Sequence, residues 1–135
     1  MTSVGDKLLP QEIRPTEVQL FRFSAATWNA HRIHYDAAYA VSEGYPDVLV
    51  QSHLHACYLT NYVIDWAGAG AQLRRIKWQN RSIATPRDVL TLSGRIVAVE
   101  KTDSAQLIEA ELSTHREDGV LCVSAHVTIE VGGLK

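Results

Sequence analysis

The sequence predicts an α+β protein in which an antiparallel sheet wraps around one long apolar helix. Residues 52–68 (SHLHACYLTNYVIDWAG) carry the helical pattern, in which large apolar residues recur every four positions. From residue 71 onward the pattern alternates between apolar and polar residues, which is the two-residue period of strands with one buried face. A chain of 135 residues is long enough for one core, so we expect a single domain over residues 1–135.

The segments before the long helix are less regular. Residues 1–16 contain two prolines and show no sustained period, which indicates an extended arm. Residues 18–25 (VQLFRFSA) hold the aromatic and aliphatic residues typical of a strand. A polar elbow at residues 29–36 follows, and then a short helix over residues 37–41 that Gly44 is suited to end.

The long helix is expected to be buried on most sides, because apolar residues cover most of its circumference. Ser52 suits the N-cap position and Gly68 suits the residue after the last turn. Its apolar residues include Leu54, Tyr58, Leu59, Tyr62, Val63 and Trp66.

Four strand patterns follow the helix, and turn-like segments at residues 100–104 and 116–119 separate the last three. We expect an antiparallel meander, in which one strand carries Leu90, Leu92, Ile96 and Ala98 on one face and Val89, Val97 and Val99 on the other. A meander needs cover on one face, and the long helix is the cover that the pattern offers. A sheet curled around one helix is the hot-dog arrangement; a split ferredoxin-like sheet is a weaker rival because it needs a second long helix.

Composition and charge narrow the functional classes. The net charge is −2 and no basic run occurs, so we expect no nucleic-acid partner. No apolar stretch reaches the roughly 18 residues of a membrane span, and the start lacks an apolar signal core, which favours a cytoplasmic protein.

Cys57 and Cys122 are far apart and are expected to be small core residues. His53 and His55 could pair with His34 at a metal, but no further ligand completes the set, so we expect none.

The elbow reads NAHRIHYD, from Asn29 to Asp36, and it resembles the D-x-N-P-I-H-x-D segment of MaoC-like hydratases and dehydratases. The flanking FRFSAATW and AAYAVSEGYPDVLV look like the bacterial acyl-thioester dehydratase branch of that family. The resemblance implies a hot-dog fold and pairing of hot-dog units as a homodimer or hetero-oligomer. It also implies coenzyme A or carrier-protein thioesters as substrates, with no cofactor other than the coenzyme A of the substrate.

Two positions depart from the family pattern. Asn29 stands where many members have aspartate, and an asparagine cannot titrate. Gln51 and Ser52 replace the usual His-Gly before the central helix, where the glycine N–H often points at the thioester oxygen.

The resemblance implies roles for individual residues. His34 titrates near neutral pH and would transfer the proton to or from water. Asn29 would hold that water, or would cap a turn. Ser52 and Gln51 would bind the substrate near its thioester oxygen, with the backbone N–H of Ser52 as the candidate oxyanion donor. His31 and Arg32 would support the loop or meet a phosphate of the substrate carrier. Coenzyme A phosphates or solvent would meet the basic residues Arg74, Arg75 and Lys77.

Three functions follow as hypotheses. The first is hydration of 2-enoyl-CoA thioesters, or dehydration of 3-hydroxyacyl thioesters, with His34 as acid and base. Because YVIDWAG looks like the short subunits of two-protein hydratases for steroid side-chain thioesters, bulky acyl groups fit this hypothesis. The second is a non-catalytic hot-dog subunit that shapes a partner's acyl pocket. The third is a thioesterase, a chemistry that commonly uses a carboxylate near the start of the central helix. Asp65 lies late in that helix and Glu43 lies on the short helix, so this hypothesis is the weakest of the three.

Overall fold

A computed structural model of the protein describes residues 2–132 and contains a five-stranded antiparallel sheet that wraps around the long helix. The strands are β1 (Lys7–Ile13), β2 (Gln72–Asn80), β3 (Leu90–Lys101), β4 (Ala105–Arg116) and β5 (Leu121–Gly132). The helices are α1 (Glu17–Thr27), α2 (Ala37–Ser42) and α3 (Ser52–Ala67), with a 3-10 turn at Arg32–His34. This is the predicted hot-dog fold.

Helix α3 forms the centre of the core, as its apolar circumference predicted. Leu59 and Val63 are fully buried, and the phenol rings of Tyr58 and Tyr62 are nearly so. Each tyrosine places its hydroxyl at the edge of the core, where that of Tyr62 donates to the Leu9 carbonyl at 3.0 Å. The sheet residues that surround the helix include Leu92, Ile96, Ile108, Ala110, Leu112, Val123, Val127 and Ile129.

The predicted ends of α3 are right to within one residue. Gly68 ends the helix with a positive φ of 86° and donates its N–H to the Ile64 carbonyl at 2.9 Å. Ser52 is the first helical residue, and Gln51 occupies the N-cap position that the sequence assigned to Ser52. Gln51 makes no side-chain cap, because its amide bonds elsewhere.

The alternation is confirmed in β4 and, from Val123 onward, in β5, where Cys122 next to Val123 is also buried instead of Leu121. Strand β3 also differs in one detail. A register shift between Ile96 and Ala98 interrupts the pairing of β3 with β4. Such a bulge adds a residue and reverses which side chains face the core beyond it. Val99 therefore packs against the core together with Ile96, although the sequence pattern puts these two residues on opposite faces of the strand.

The predicted four-strand meander is wrong for its first member. The strand order is β1–β3–β4–β5–β2, so β2 pairs with β5 and lies at an edge of the sheet. Only β3, β4 and β5 form a meander, since the segment between β2 and β3 carries the chain across the sheet.

The strand predicted at residues 18–25 is also wrong, because this segment lies in α1. The Thr16 side chain caps the helix by accepting the N–H of Gln19 at 3.1 Å. The fifth strand comes instead from the predicted arm, as β1 at the other edge of the sheet. An edge strand tolerates Pro10, and the pairing with β3 shifts between Leu8 and Gln11 around that residue.

The prediction for the two cysteines holds for one of them. Cys122 is buried in the core, whereas Cys57 is exposed on the side of α3 that the sheet does not cover. Both are free thiols. Among residues 2–132, no helix is long and apolar enough to cross a membrane.

Candidate active site

The elbow holds His34 through main-chain contacts. His34 closes the 3-10 turn and is 9% exposed. The Leu49 N–H donates to the Ile33 carbonyl at 2.8 Å, which brings the buried segment before α3 alongside the elbow. The Leu49 carbonyl then lies 2.7 Å from His34 Nδ1. The backbone of the elbow and the backbone at Leu49 therefore fix the position of the imidazole together.

This contact determines the tautomer of the neutral His34 ring. A carbonyl oxygen can only accept, so Nδ1 carries the proton and the neutral ring keeps its lone pair on Nε2. Burial lowers the pKa of His34 below its ordinary value, the Leu49 carbonyl partly opposes that effect, and nearby His31 lowers the pKa further. Within residues 2–132 the ring bonds only the Leu49 carbonyl, so His34 is a neutral base at neutral pH with its Nε2 left free by this part of the chain.

Asn29 lies directly after the end of α1. Trp28 ends that helix in the left-handed region at a φ of 56°, and the Asn29 N–H donates to the Ser24 carbonyl at 2.9 Å. The side-chain Oδ1 has only a long contact of 3.4 Å with the His31 N–H. The Asn29 amide is therefore partly buried and largely free to bond another molecule.

One cavity of about 400 Å³ brings three of the predicted residues together. Asn29 and His34 line it from the elbow, and Ser52 lines it from the start of α3. The end of β2 and the residues after it form another wall, at residues 80–83. The remaining lining residues are Ile33, Leu49, Val50, His53 and His55.

Ser52 lines this cavity at the first position of α3. The Ser52 Oγ accepts a hydrogen bond from Trp78 Nε1 of β2 at 2.9 Å. The first N–H groups of a helix have no acceptor within it, and they lie at the positive end of the helix dipole. The start of α3 therefore offers an unpaired donor to a developing negative charge.

Gln51 lies outside the cavity lining, although the sequence analysis grouped it with Ser52 as a substrate-binding residue. Its Nε2 donates to the Leu20 carbonyl at 2.7 Å and to Ser24 Oγ at 2.9 Å. Both acceptors belong to α1, so Gln51, which is 1% exposed, joins α1 to the start of α3. The Gln51 amide is thus directed toward α1, and a substrate-binding role for this residue stays a prediction.

His31 and Arg32 are exposed and do not line the cavity. Arg32 bonds Asp36 at 2.8 Å and lies 4.5 Å above the centre of the Tyr39 ring. Asp36 also caps α2 by accepting the Tyr39 N–H at 3.1 Å. These contacts match the loop-supporting role that the sequence analysis left open for Arg32.

The structure adds His55, which the sequence analysis considered only as a metal ligand. His55 is 3% exposed and lines the cavity. Its Nδ1 is sealed from solvent and has no hydrogen-bond partner among residues 2–132. Burial lowers the pKa of His55 to about 4. Within the same described part of the chain, no three metal-binding side chains are grouped closely enough to hold an ion.

The buried His55 predicts acid sensitivity of the fold. In the unfolded chain this histidine takes up a proton near pH 6.5, but the folded ring does so only near pH 4. The unfolded state therefore binds more protons between these values, and stability falls as pH falls through that window. We expect His55 to account for about 2 kcal/mol of lost stability between about pH 7 and about pH 5.

Urea unfolding at both pH values would measure this loss in the wild type and in His55→Leu. The variant should lose less stability on acidification than the wild type. An equal loss in the two proteins would contradict the assignment.

Comparisons with known proteins identify the family of this chain. Residues 5–86 match the family model described as hydroxyacyl-thioester dehydratase type 2. Mesaconyl-C(4)-CoA hydratase of Chloroflexus aurantiacus is 34% identical over 126 residues, which cover 93% of this chain and 40% of that protein. The 3-oxo-4,17-pregnadiene-20-carboxyl-CoA hydratase beta subunit of Mycobacterium tuberculosis is 28% identical, over 73% of this chain and 77% of that subunit.

A solved structure supports the same grouping. A chain in the crystal structure of the ChsH1-ChsH2 complex from Mycobacterium tuberculosis superposes with a TM-score of 0.87 at 26% identity. The match covers 97% of this chain and 99% of that chain.

The fold and these matches define a hot-dog protein of the MaoC-like hydratase and dehydratase class. Within that class, the chain belongs to the hydroxyacyl-thioester dehydratase type 2 family.

Proposed function

We propose that this protein adds water to 2-enoyl thioesters and removes it from 3-hydroxyacyl thioesters. One observation carries the proposal: a neutral His34 with a free Nε2 shares a cavity with Asn29 and with the start of α3. A base, a polar group for water and an unpaired N–H donor are the components that this reaction needs.

The atoms of the reaction are accounted for by these groups. His34 Nε2 takes a proton from water while the water oxygen bonds to C3 of the enoyl group. The electron pair of the double bond moves toward the thioester oxygen, where the Ser52 N–H stabilises the negative charge. The proton on His34 then passes to C2, which gives the 3-hydroxyacyl thioester. Asn29 orients the water through its amide, and the reverse sequence is the dehydration.

The proposed substrates are coenzyme A or carrier-protein thioesters, and bulky acyl groups are included. The names of the two relatives above describe hydratases of coenzyme A thioesters, and one name specifies a pregnadiene carboxyl group, which is a steroid-derived acyl group. The proposal includes no cofactor, because His34 and water supply the chemistry. It places the reaction in the cytoplasm.

We further propose that a second hot-dog chain completes the site. The cavity includes Asn80 at the end of β2, and β2 lies at the edge of the sheet. An edge strand has unpaired N–H and C=O groups along one side, which a second strand can bond. The chain spans 40% of the mesaconyl-CoA hydratase, a length that leaves room for a second such unit in that relative. The partner is either a copy of this chain or a different hot-dog chain.

A second candidate function is a non-catalytic subunit that shapes a partner's acyl pocket. Asn29 favours it, because an amide cannot share proton transfer with His34 as an aspartate could. The match to a hydratase beta subunit supports the same possibility.

Assay of the purified protein with crotonyl-CoA and with a bulky 2-enoyl-CoA, alongside its mass in solution, tests the proposal. We expect a species of at least two chains that hydrates one or both substrates. A monomer without activity that a second hot-dog chain rescues would identify the hetero-oligomer. Absence of hydration in every assembly tested would refute the proposed reaction.

A further inference from the structure

His55 is an unexplained buried imidazole beside the proposed reaction centre. Only 3% of its surface is exposed, and its Nδ1 has no hydrogen-bond partner among residues 2–132. A buried polar group without a partner destabilises the fold, typically by about 1–3 kcal/mol. Because Nδ1 is the sealed atom, only Nε2 of the ring is left to bond a ligand in the cavity that His55 lines.

The tautomer of the ring follows from that missing partner. Orphaned buried N–H groups are rarer than buried acceptors with a free lone pair. The proton of the neutral ring therefore belongs on Nε2, with the lone pair on the sealed Nδ1. Because burial lowers the pKa of His55 to about 4, the ring stays neutral at neutral pH. It can donate one hydrogen bond, and its low pKa makes it a weak proton acceptor.

The position of His55 on α3 puts this donor near the unpaired helix start. Ser52 and His55 are three residues apart and lie on the same face of the helix. Helical side chains lean toward the N-terminus, so the ring extends toward the first turn. Both residues line the cavity that holds His34. The Tyr58 ring packs edge-on at 6.3 Å from the centre of the imidazole and limits its rotation.

We propose that His55 is a catalytic residue that donates a hydrogen bond from Nε2 to the thioester carbonyl oxygen, next to the Ser52 N–H. This inference rests on the proposed function and adds a side-chain donor to its oxyanion site. It also gives the two buried histidines separate tasks: His34 moves the proton and His55 stabilises the charge.

The test compares His55→Leu, which removes the donor, with His55→Gln, which can place an amide N–H near the position of Nε2. Loss of one oxyanion donor lowers kcat by about 100-fold or more, and His55→Gln should recover much of that loss. The exposed Cys57→Ala on the same helix is the matched control and should behave as the wild type. If His55→Leu fails to fold, His55→Asn takes its place, because its shorter amide does not reach the Nε2 position.

A spectroscopic measurement separates this inference from the proposed reaction. A donor at the thioester oxygen polarises bound cinnamoyl-CoA and moves its ultraviolet absorption to longer wavelength. We expect that shift in the wild type and in His55→Gln, and its loss in His55→Leu. A shift that depends on His55 without any turnover would refute the proposed reaction but retain the role of His55. Wild-type shift and turnover in His55→Leu, or no shift in the wild type, would overturn the inference.

Discussion

Replacement of His34 by alanine is expected to lower turnover of a 2-enoyl-CoA by more than about a hundredfold. His34 is held by the Leu49 carbonyl with its Nε2 free, and Asn29 beside it cannot take up the proton. The measurement is the kcat of the assembled protein at saturating substrate. His126→Ala is the matched control, because His126 pairs with Glu109 on the sheet and does not line the cavity.

The pH profile gives this prediction a second measurement. A protonated imidazole cannot accept a proton, so kcat/KM should fall as pH drops through the pKa of His34. Because burial lowers that pKa, the fall should lie below about pH 6.5. Near-normal turnover of His34→Ala in a reconstituted complex would contradict the catalytic role and favour the non-catalytic subunit.

Replacement of Leu59 by alanine is expected to lower the free energy of unfolding by about 2–5 kcal/mol. Leu59 is fully buried at the centre of α3, where the sheet surrounds the helix. The smaller side chain loses its apolar burial and leaves a cavity that the surrounding strands cannot fill without moving.

Urea unfolding of the assembled protein would measure this effect. The exposed Cys57→Ala on the same helix is the control, with an expected change within about 0.5 kcal/mol. Equal changes in the two variants would show that α3 is not the packing centre of the sheet.

The regular elements could be predicted from the sequence because burial imposes a period on their residues. In β4, Ile108, Ala110 and Leu112 alternate with exposed or partly exposed residues. The sheet wraps around most of helix α3, so the apolar pattern of the helix is long and unambiguous.

Helix α1 and strand β1 could not be predicted in this way, because each buries too little to show a period. Leu20 and Ser24 are the buried residues of α1, and Phe21 is 60% exposed. A local signal was present, since Thr16 and Gln19 have the spacing of a capping box. In β1 only Leu8 is buried, because the strand lies at an edge of the sheet.

The prediction of α1 as a strand also left the orientation of one site residue unpredicted. The resemblance located His34, Asn29 and Ser52, which the structure brings to one cavity. The orientation of Gln51 depends on α1 as a helix, because its amide bonds the Leu20 carbonyl. When that segment is predicted as a strand, the sequence indicates no partner for the Gln51 amide. Gln51 is then grouped with the substrate-binding residues.

The hydrogen bond from His34 to the Leu49 carbonyl has a consequence for how this site can vary. In many enzymes an aspartate side chain orients the catalytic histidine, and a single substitution removes it. Here the acceptor is a peptide oxygen, which every amino acid supplies. Substitution of Leu49 therefore keeps the acceptor of the His34 hydrogen bond. Mutations at this position can change the shape of the cavity wall without changing the orientation of the imidazole.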